Sequence, residues 1–399
     1  MTESESGRRS GQGAESPQKI PDIDSADGPV EETSTEESSN DAAASPEMES
    51  APPARAAPEK IVKQERFAAI DLGTNNCRLL VAAPKGRKFR VVDAFSRIVR
   101  LGEGVSQTGA LSDAAMERAL EAIRICAEKV ERRAVTRIRC IATQACRSAT
   151  NGAAFLERVK GETGLDFEII STEEEARLAV RGCAELLDED ARAGLVFDIG
   201  GGSTELSWIK PAGPHSPPTI AAWHSVPVGV VSLSERWGGK EISAETYEKI
   251  VDSVAAEIRA FGDPAEIRDL FTDGGAHFLG TSGTVTSIAG VHLGLARYRR
   301  DLVDGLWLSV EEARGVSEKL RAMTLDARAA EPCIGAERAD LVVCGCAILE
   351  ALTREWPVER IRVGDRGLRE GILADLADTA RRARGRRRRK RKRKALPNA

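Results

Sequence analysis

The sequence predicts an α/β protein of two similar domains that face one cleft, and three observations carry that prediction. Three glycine- and hydroxyl-rich loops, Asp71-Leu-Gly-Thr-Asn-Asn76, Asp198-Ile-Gly-Gly-Gly-Ser-Thr204 and Gly280-Thr-Ser-Gly-Thr284, each follow an apolar run that reads as a buried strand. The first two share one plan, namely apolar strand, Asp, apolar residue, Gly and then small polar residues, from Phe67 to Gly73 and from Leu195 to Gly200, which is an internal repeat. Strand and helix patterns then alternate behind each Asp loop, as in layered α/β folds. Ligands in such folds favour crevices at strand ends and between domains, so all three loops are expected to face one interdomain cleft.

Each element has its own justification. At 399 residues and 41% apolar content the chain can bury two sizeable cores. Residues 1–60 are rich in Ser, Pro, Ala, Glu and Asp and poor in aromatic and β-branched residues, and are expected to be disordered. Apolar runs at 67–70, 77–83 and 88–94, joined by turn-rich pieces, predict three strands opening a mixed sheet. Ser112 is placed to cap a helix over 113–133, followed by a strand at 135–142, a helix at 153–162 and a strand at 167–170. Ser171-Thr-Glu-Glu-Glu175 then opens a helix to about 187.

The second Asp loop restarts the pattern with strands at 195–198, 205–209 and 219–226. Helices are expected at 243–260, 283–292, 310–322 and 338–354, then a strand at 361–363 and a last helix from about 368. The expected division is a first domain over 66–188, to which a helix at 367–380 returns, and a second over 189–366. The basic stretch 381–399, with Arg or Lys at all positions of 381–394 except Ala383 and Gly385, should repel itself into a solvated, disordered tail rather than a packed helix.

The formal net charge of −4 conceals an acidic head and a basic tail that nearly cancel. The tail can attract a polyanion or nucleic acid, or serve only solubility or a contact with the head. No basic start followed by an apolar stretch and no run of 18 apolar residues occurs, so no membrane attachment and a cytoplasmic enzyme are expected. The eight cysteines lie in apolar contexts without a Cys-x-x-Cys pair and read as reduced core residues.

Glycine lets a loop turn tightly and approach a ligand, while exposed N–H groups and the Thr74, Ser203 and Thr204 hydroxyls can donate to phosphate oxygens. The phosphate-binding set is therefore Gly73, Thr74, Asn75 and Asn76, then Gly200, Gly201, Gly202, Ser203 and Thr204, then Gly280, Thr281, Ser282, Gly283 and Thr284. Asp71 and Asp198 at the strand ends can hold a hard cation beside those oxygens. One such loop alone reads as an ordinary turn; the duplicated Asp and the third loop favour a phosphate clamp.

These residues resemble a known family. Phe67 to Val81, Glu174-Glu-Ala-Arg177, Val196 to Leu206 and Gly280 to Thr284, supported by Ala142 to Arg147 and Gly364 to Gly371, are similar to the Ppx/GppA phosphatases. The resemblance runs from about Arg66 to Leu376 and implies two actin-like domains, with exopolyphosphatase or guanosine pentaphosphate phosphohydrolase activity dependent on Mg2+. It implies Glu175 as the base that activates water, Glu205 as its helper in the metal and water site, Asp71 and Asp198 around magnesium, and Arg147 as a phosphate-binding arginine. A homodimer is a further implication. Two departures stand out: Gly73-Thr-Asn-Asn76 replaces the usual Gly-Ser-Asn-Ser, and the helical extension with paired His-Asp residues is missing.

Rival readings exist for several of these residues. Thr172-x-x-Glu175 is also a capping box, and Glu173, Glu174 and Glu175 all suit a helix N-terminus. Glu205 also fits a surface salt bridge, Arg147 a tie to the loop before Asn151, and Ser282 or Thr284 a helix cap. His277 reads as a structural histidine. At the level of the whole protein, an ATP-dependent kinase of the same superfold or a non-catalytic nucleotide- or polyphosphate-binding regulator are the alternatives.

Overall fold

The computed structural model describes residues 65–394 apart from 87, 189, 213–217 and 264–265. The acidic segment 1–60 and the final residues 395–399 lie outside the described residues. The first half runs β1 (Phe67–Leu72), β2 (Asn76–Lys85), β3 (Lys88–Ile98), α1 (Val105–Thr108), α2 (Asp113–Arg132), β4 (Arg137–Ala142), α3 (Gln144–Ser148), α4 (Gly152–Thr163), β5 (Phe167–Ile169) and α5 (Thr172–Cys183). The second begins with β6 (Ala193–Ile199), β7 (Thr204–Lys210), β8 (Thr219–Val226), α6 (Val230–Trp237), α7 (Ala244–Phe261), α8 (Arg268–Thr272), β9 (Ala276–Thr281) and α9 (Ser282–His292). It ends with α10 (Arg300–Val303), β10 (Trp307–Ser309), α11 (Val310–Ala322), α12 (Leu325–Ala330), α13 (Val342–Glu355), β11 (Arg360–Gly364) and α14 (Leu368–Lys394).

The loop repeat is the visible end of a whole-sheet repeat. One sheet has the order β3-β2-β1-β4-β5 and the other β10-β11-β9-β6-β7-β8. In both, a three-stranded antiparallel meander is followed by parallel strands, β4 and β5 in one and β9 and β11 in the other. The short antiparallel β10 is the only strand without a counterpart among the described residues. This is the duplicated actin-like α/β plan.

Both founding strands are buried on two faces, which explains why they read as apolar runs rather than alternations. Ala68, Ile70 and Leu72 of β1 face a core with Leu120 and Ile123 of α2, while Phe67 and Ala69 face Leu178 of α5 and Ile372, Leu373 and Ala377 of α14. In β6, Leu195, Phe197 and Ile199 join the large second core with Trp208, Tyr247 and Trp356, and Val196 meets Val180 and Cys183 of α5. All eight cysteines are buried free thiols. No described helix is long and apolar enough to cross a membrane.

The rims of the two halves are bridged by charge. Arg100, after β3, donates to both Asp340 carboxylate oxygens at 2.8 and 2.9 Å and to the Glu337 carbonyl at 3.0 Å. Glu235 of α6 accepts from the Gly104 amide at 2.7 Å and from the Ser106 hydroxyl at 2.6 Å.

The basic tail is corrected. α14 continues unbroken to Lys394, with Arg381, Arg382, Arg384 and Arg386 exposed, so the segment is helical rather than a disordered tail. Arg and Lys are good helix formers, and a helix already nucleated by its docked first half extends without a second nucleation cost.

Close packing of α5 against α14 depends on absent side chains. A Cβ on Gly371 would collide with the Leu178 carbonyl, and one on Gly182 with the Gly367 carbonyl. Gly371→Ala is therefore expected to lower stability by about 1–3 kcal/mol, the usual cost of overpacking a filled interface. Denaturant unfolding of the variant checks this, and an unchanged midpoint would contradict the packing described.

Candidate active site

The strand ends of the two sheets deliver the three loops to one cavity. After β1 the chain turns at Gly73, whose amide donates to the Asn76 carbonyl at 2.8 Å. After β6 the Gly200 amide donates to the Ser203 carbonyl at 2.9 Å, and the carbonyls of Gly200 and Gly201 accept from Val230 and Val231 at 3.0 and 2.8 Å. The first two loops touch across the cleft: a Cβ on Gly201 would lie 3.0 Å from Cβ of Thr74, and one on Gly202 3.1 Å from the Thr74 hydroxyl. A side chain at either position would crowd Thr74, so glycine lets the two loops approach closely. The third loop opens α9, an eleven-residue helix, and Ser282 holds a positive φ of 87°.

Most of the predicted residues are brought together. Gly73 to Asn76, Gly200 to Ser203 and Thr281 to Thr284 line the cavity with Asp71, Asp198, Glu175 and Glu205. Three predicted residues do not line it, which corrects their assignment. Thr204 donates its hydroxyl to the Val228 carbonyl at 2.7 Å, and Gly280 is needed because a Cβ there would strike the Phe197 ring. Arg147 lies behind Glu175: its nitrogens donate to Glu175 Oε2 at 3.1 Å, to the Ile170 carbonyl at 2.6 Å and to Gln144 Oε1 at 2.8 Å. It is engaged by protein acceptors rather than free for a phosphate, and it ties the β5–α5 junction instead of the loop before Asn151.

The rival readings are also resolved. The cap of α5 is Ser171, whose hydroxyl accepts from the Glu174 amide at 3.2 Å, so the capping register starts one residue earlier than Thr172. Glu174 pairs with Arg139 at 3.0 Å and Arg177 at 2.7 Å on the outer side. Glu175, one position on, is rotated inward, only 8% exposed, and points into the cavity. Glu205 is no surface residue; it is 4% exposed and accepts from the Ser203 and Ser225 hydroxyls at 2.5 and 3.0 Å. α9 has no side-chain cap, and the Ser282 hydroxyl is buried without a protein partner. His277 is half-satisfied, with Nε2 3.3 Å from Asp188 and a buried Nδ1 lacking a partner.

The electrostatics follow from crowding four carboxyls away from water. Burial pushes Asp198 up to about 6 and Glu205 up to about 7, with Asp198 repulsion adding to the second. Burial, and then repulsion from Glu205, raises Glu175 well above the ordinary range against the pull of Arg147. Burial also raises Asp71. Among the described residues no three His, Cys, Asp or Glu side chains are close enough to form a metal chelate by themselves.

Several lining residues were missed from sequence, notably Arg78, Arg338, Arg369, Gln144 and Glu370. Arg78 had a signal: it is a lone charge in the otherwise apolar run from Cys77 to Ala83, and it sits opposite Asp71 in the β1–β2 register. Arg338 had none, because its stretch between helices has no strand pattern. Arg369 and Glu370 lie within Gly364 to Gly371, which carried the resemblance but no stated chemistry.

A carboxyl with a raised folded-state pKa holds its proton more tightly folded than unfolded. Its stabilising contribution is present below the ordinary value of 4.5 and is lost as pH rises through about 7. In cation-free buffer Glu205→Gln should therefore be more stable than the parent near pH 8, by on the order of 2 kcal/mol, with the difference vanishing near pH 4.5. Chemical denaturation at several pH values measures it; a pH-independent difference would refute the burial argument.

Residues 80–380 match the profile of the Ppx/GppA phosphatase family. A solved Aquifex aeolicus member of that family is 26% identical with a TM-score of 0.66, covering 79% of this chain and 98% of its own. A crystal structure of an exopolyphosphatase-like protein is 29% identical with a TM-score of 0.69, covering 79% of this chain and 99% of its own. In fold the chain is also similar to a Cytophaga hutchinsonii exopolyphosphatase, 24% identical with a TM-score of 0.70 over 79% of this chain and 98% of that one. With its doubled Asp loops, its buried glutamates and a family match across both halves, this chain belongs to the Ppx/GppA phosphatase family.

Proposed function

We propose that this phosphohydrolase removes the terminal phosphate of inorganic polyphosphate, of guanosine pentaphosphate, or of both, by attack of a water whose proton passes to Glu175. The observation that carries the reading is the position of Glu175: a buried carboxylate, held from behind by Arg147, that opens onto a cavity walled by glycine loops. Phosphoryl transfer demands positioning and neutralisation of phosphate charge rather than covalent help from the protein. Backbone N–H groups of the Asp71 and Asp198 loops, the N-terminus of α9 and the guanidinium groups of Arg78, Arg338 and Arg369 are the donors on hand. The unpartnered Ser282 hydroxyl is a further donor. No described lining residue is aromatic, so nothing there stacks on a base and recognition rests on phosphate.

Asp71, Asp198 and Glu205 offer hard oxygen donors to Mg2+, and the lack of a ready chelate agrees with an ion that takes one or two carboxylates and keeps phosphate and water as its other ligands. Bound there, magnesium would neutralise phosphate charge and favour departure of the leaving oxygen. Arg147 has a separate duty in this reading. It opposes the upward push of burial and of Glu205 on the Glu175 pKa, which favours the anion that can accept a proton.

Phosphate release from long polyphosphate and from guanosine pentaphosphate, without any acceptor, is the direct test. Release only on addition of an acceptor alcohol would favour the kinase alternative. Glu175→Gln should keep ligand binding and lose turnover by about 10²- to 10⁴-fold, the usual worth of a general base; undiminished turnover would remove Glu175 from the role. Removing the Arg147 charge lets the Glu175 pKa rise further. For Arg147→Gln the acidic limb of the pH–rate profile should accordingly move to higher pH, with activity partly recovered in alkali. A uniform loss at every pH would show that Arg147 acts in another way.

A further inference from the structure

We infer that the distal part of α14 is a nucleic-acid-binding arm, separate from the cleft. α14 begins at the cavity, which Leu368, Arg369 and Glu370 line together with Asp71 and Thr143 from the C-terminal ends of β1 and β4. Along its docked half it packs on β1 and α5. By Arg384 it is level with the opposite end of β1, because Arg384 pairs with Glu65, two residues before that strand starts. Helical rise puts Arg384 about 21 Å from Glu370, and Lys394 a further 15 Å or so beyond it.

Past Arg384 the helix carries Arg or Lys at every position from Arg386 to Lys394, so its charge surrounds the axis instead of forming one amphipathic face. Three observations speak against docking on an apolar surface and against a role in the cleft, and a fourth favours a duplex. An all-round basic helix has no apolar stripe to dock on a protein groove or sink into a membrane interface. It makes no second hydrophobic surface for a core. It leaves the domain at the pole away from the cleft, so a phosphate being cleaved is not the anion it is placed to hold. A helix of this length and charge fits along the major groove of duplex DNA, where phosphates on both sides neutralise it. Binding would be dominated by phosphate contacts, since every side chain from Arg386 to Lys394 is a cation and the ring of charge meets phosphates on both sides.

The test is fluorescence anisotropy of the full chain with a 20-base-pair RNA duplex and with the DNA duplex of the same sequence, from about 50 to 200 mM salt. Affinity should fall on the order of 10²- to 10³-fold over that range, as expected for about four or five neutralised phosphates. A chain ending at Arg386 keeps the Arg384–Glu65 pair and should lose this binding while keeping phosphate release on a short substrate. Replacing Arg386 to Lys394 by Gln preserves length and helix propensity and should do the same. Retained duplex binding in both variants would overturn the inference. So would a result in which they bind duplex as before but lose kcat/KM on long polyphosphate alone, which would make the arm a substrate track. Whether the parent turns over polyphosphate at all is read separately, so failure of the arm and failure of the proposed chemistry are distinguishable.

Discussion

Crowding of buried negative charge around one cleft is the constraint around which this molecule is arranged. Asp71, Asp198, Glu175 and Glu205 are carried to one cavity by four separate segments, and burial raises all four above their ordinary range. Carboxylates left alone in such a place would take up protons and cease to act as bases or cation ligands. Arg147 behind Glu175, and the Ser203 and Ser225 hydroxyls on Glu205, each hold part of that charge in place. In the proposed chemistry, what they leave uncompensated would be met by a cation arriving with its phosphates.

The fold makes this crowding affordable by duplication. Each half ends its founding strand in an Asp-x-Gly turn, and the two turns come so close that Gly201 and Gly202 lie against Thr74. Bridges from Arg100 to Asp340 and from Glu235 to Gly104 and Ser106 join the halves at the rim, near Arg338. The cleft is thus lined by backbone donors from both halves and closed by side chains whose partners lie across it. A chain with either half alone would present one Asp loop to solvent, where water competes for every donor.

α14 links these features to the surface. Its first turn lines the cavity, its middle completes the core between β1 and α5, and its end is a run of basic residues. The glycine contacts with α5 set how deeply that helix sits, and α5 carries Glu175. Packing between two helices therefore bears on the position of one carboxylate.

By itself the sequence determined the architecture and most of the cavity wall. Period and composition are local properties, so buried strands, capped helices and the doubled Asp loop were legible, and the loops' small residues implied a ligand wherever they met. Side-chain destinations were decided only by tertiary structure. Ser171 rather than Thr172 caps α5, a difference of one residue, or about 100° of helix, that turns Glu175 from a surface cap into the cavity. Thr204 and Gly280 looked the same as their neighbours, yet one hydroxyl meets the Val228 carbonyl and the glycine makes room for Phe197. Arg338 and Arg369 come from segments far along the chain, and no local pattern says which distant surface a long cationic side chain will reach. The basic end of α14 followed the same logic in reverse: local repulsion argued against a helix, and a docked first half supplied the nucleus that local reasoning could not see.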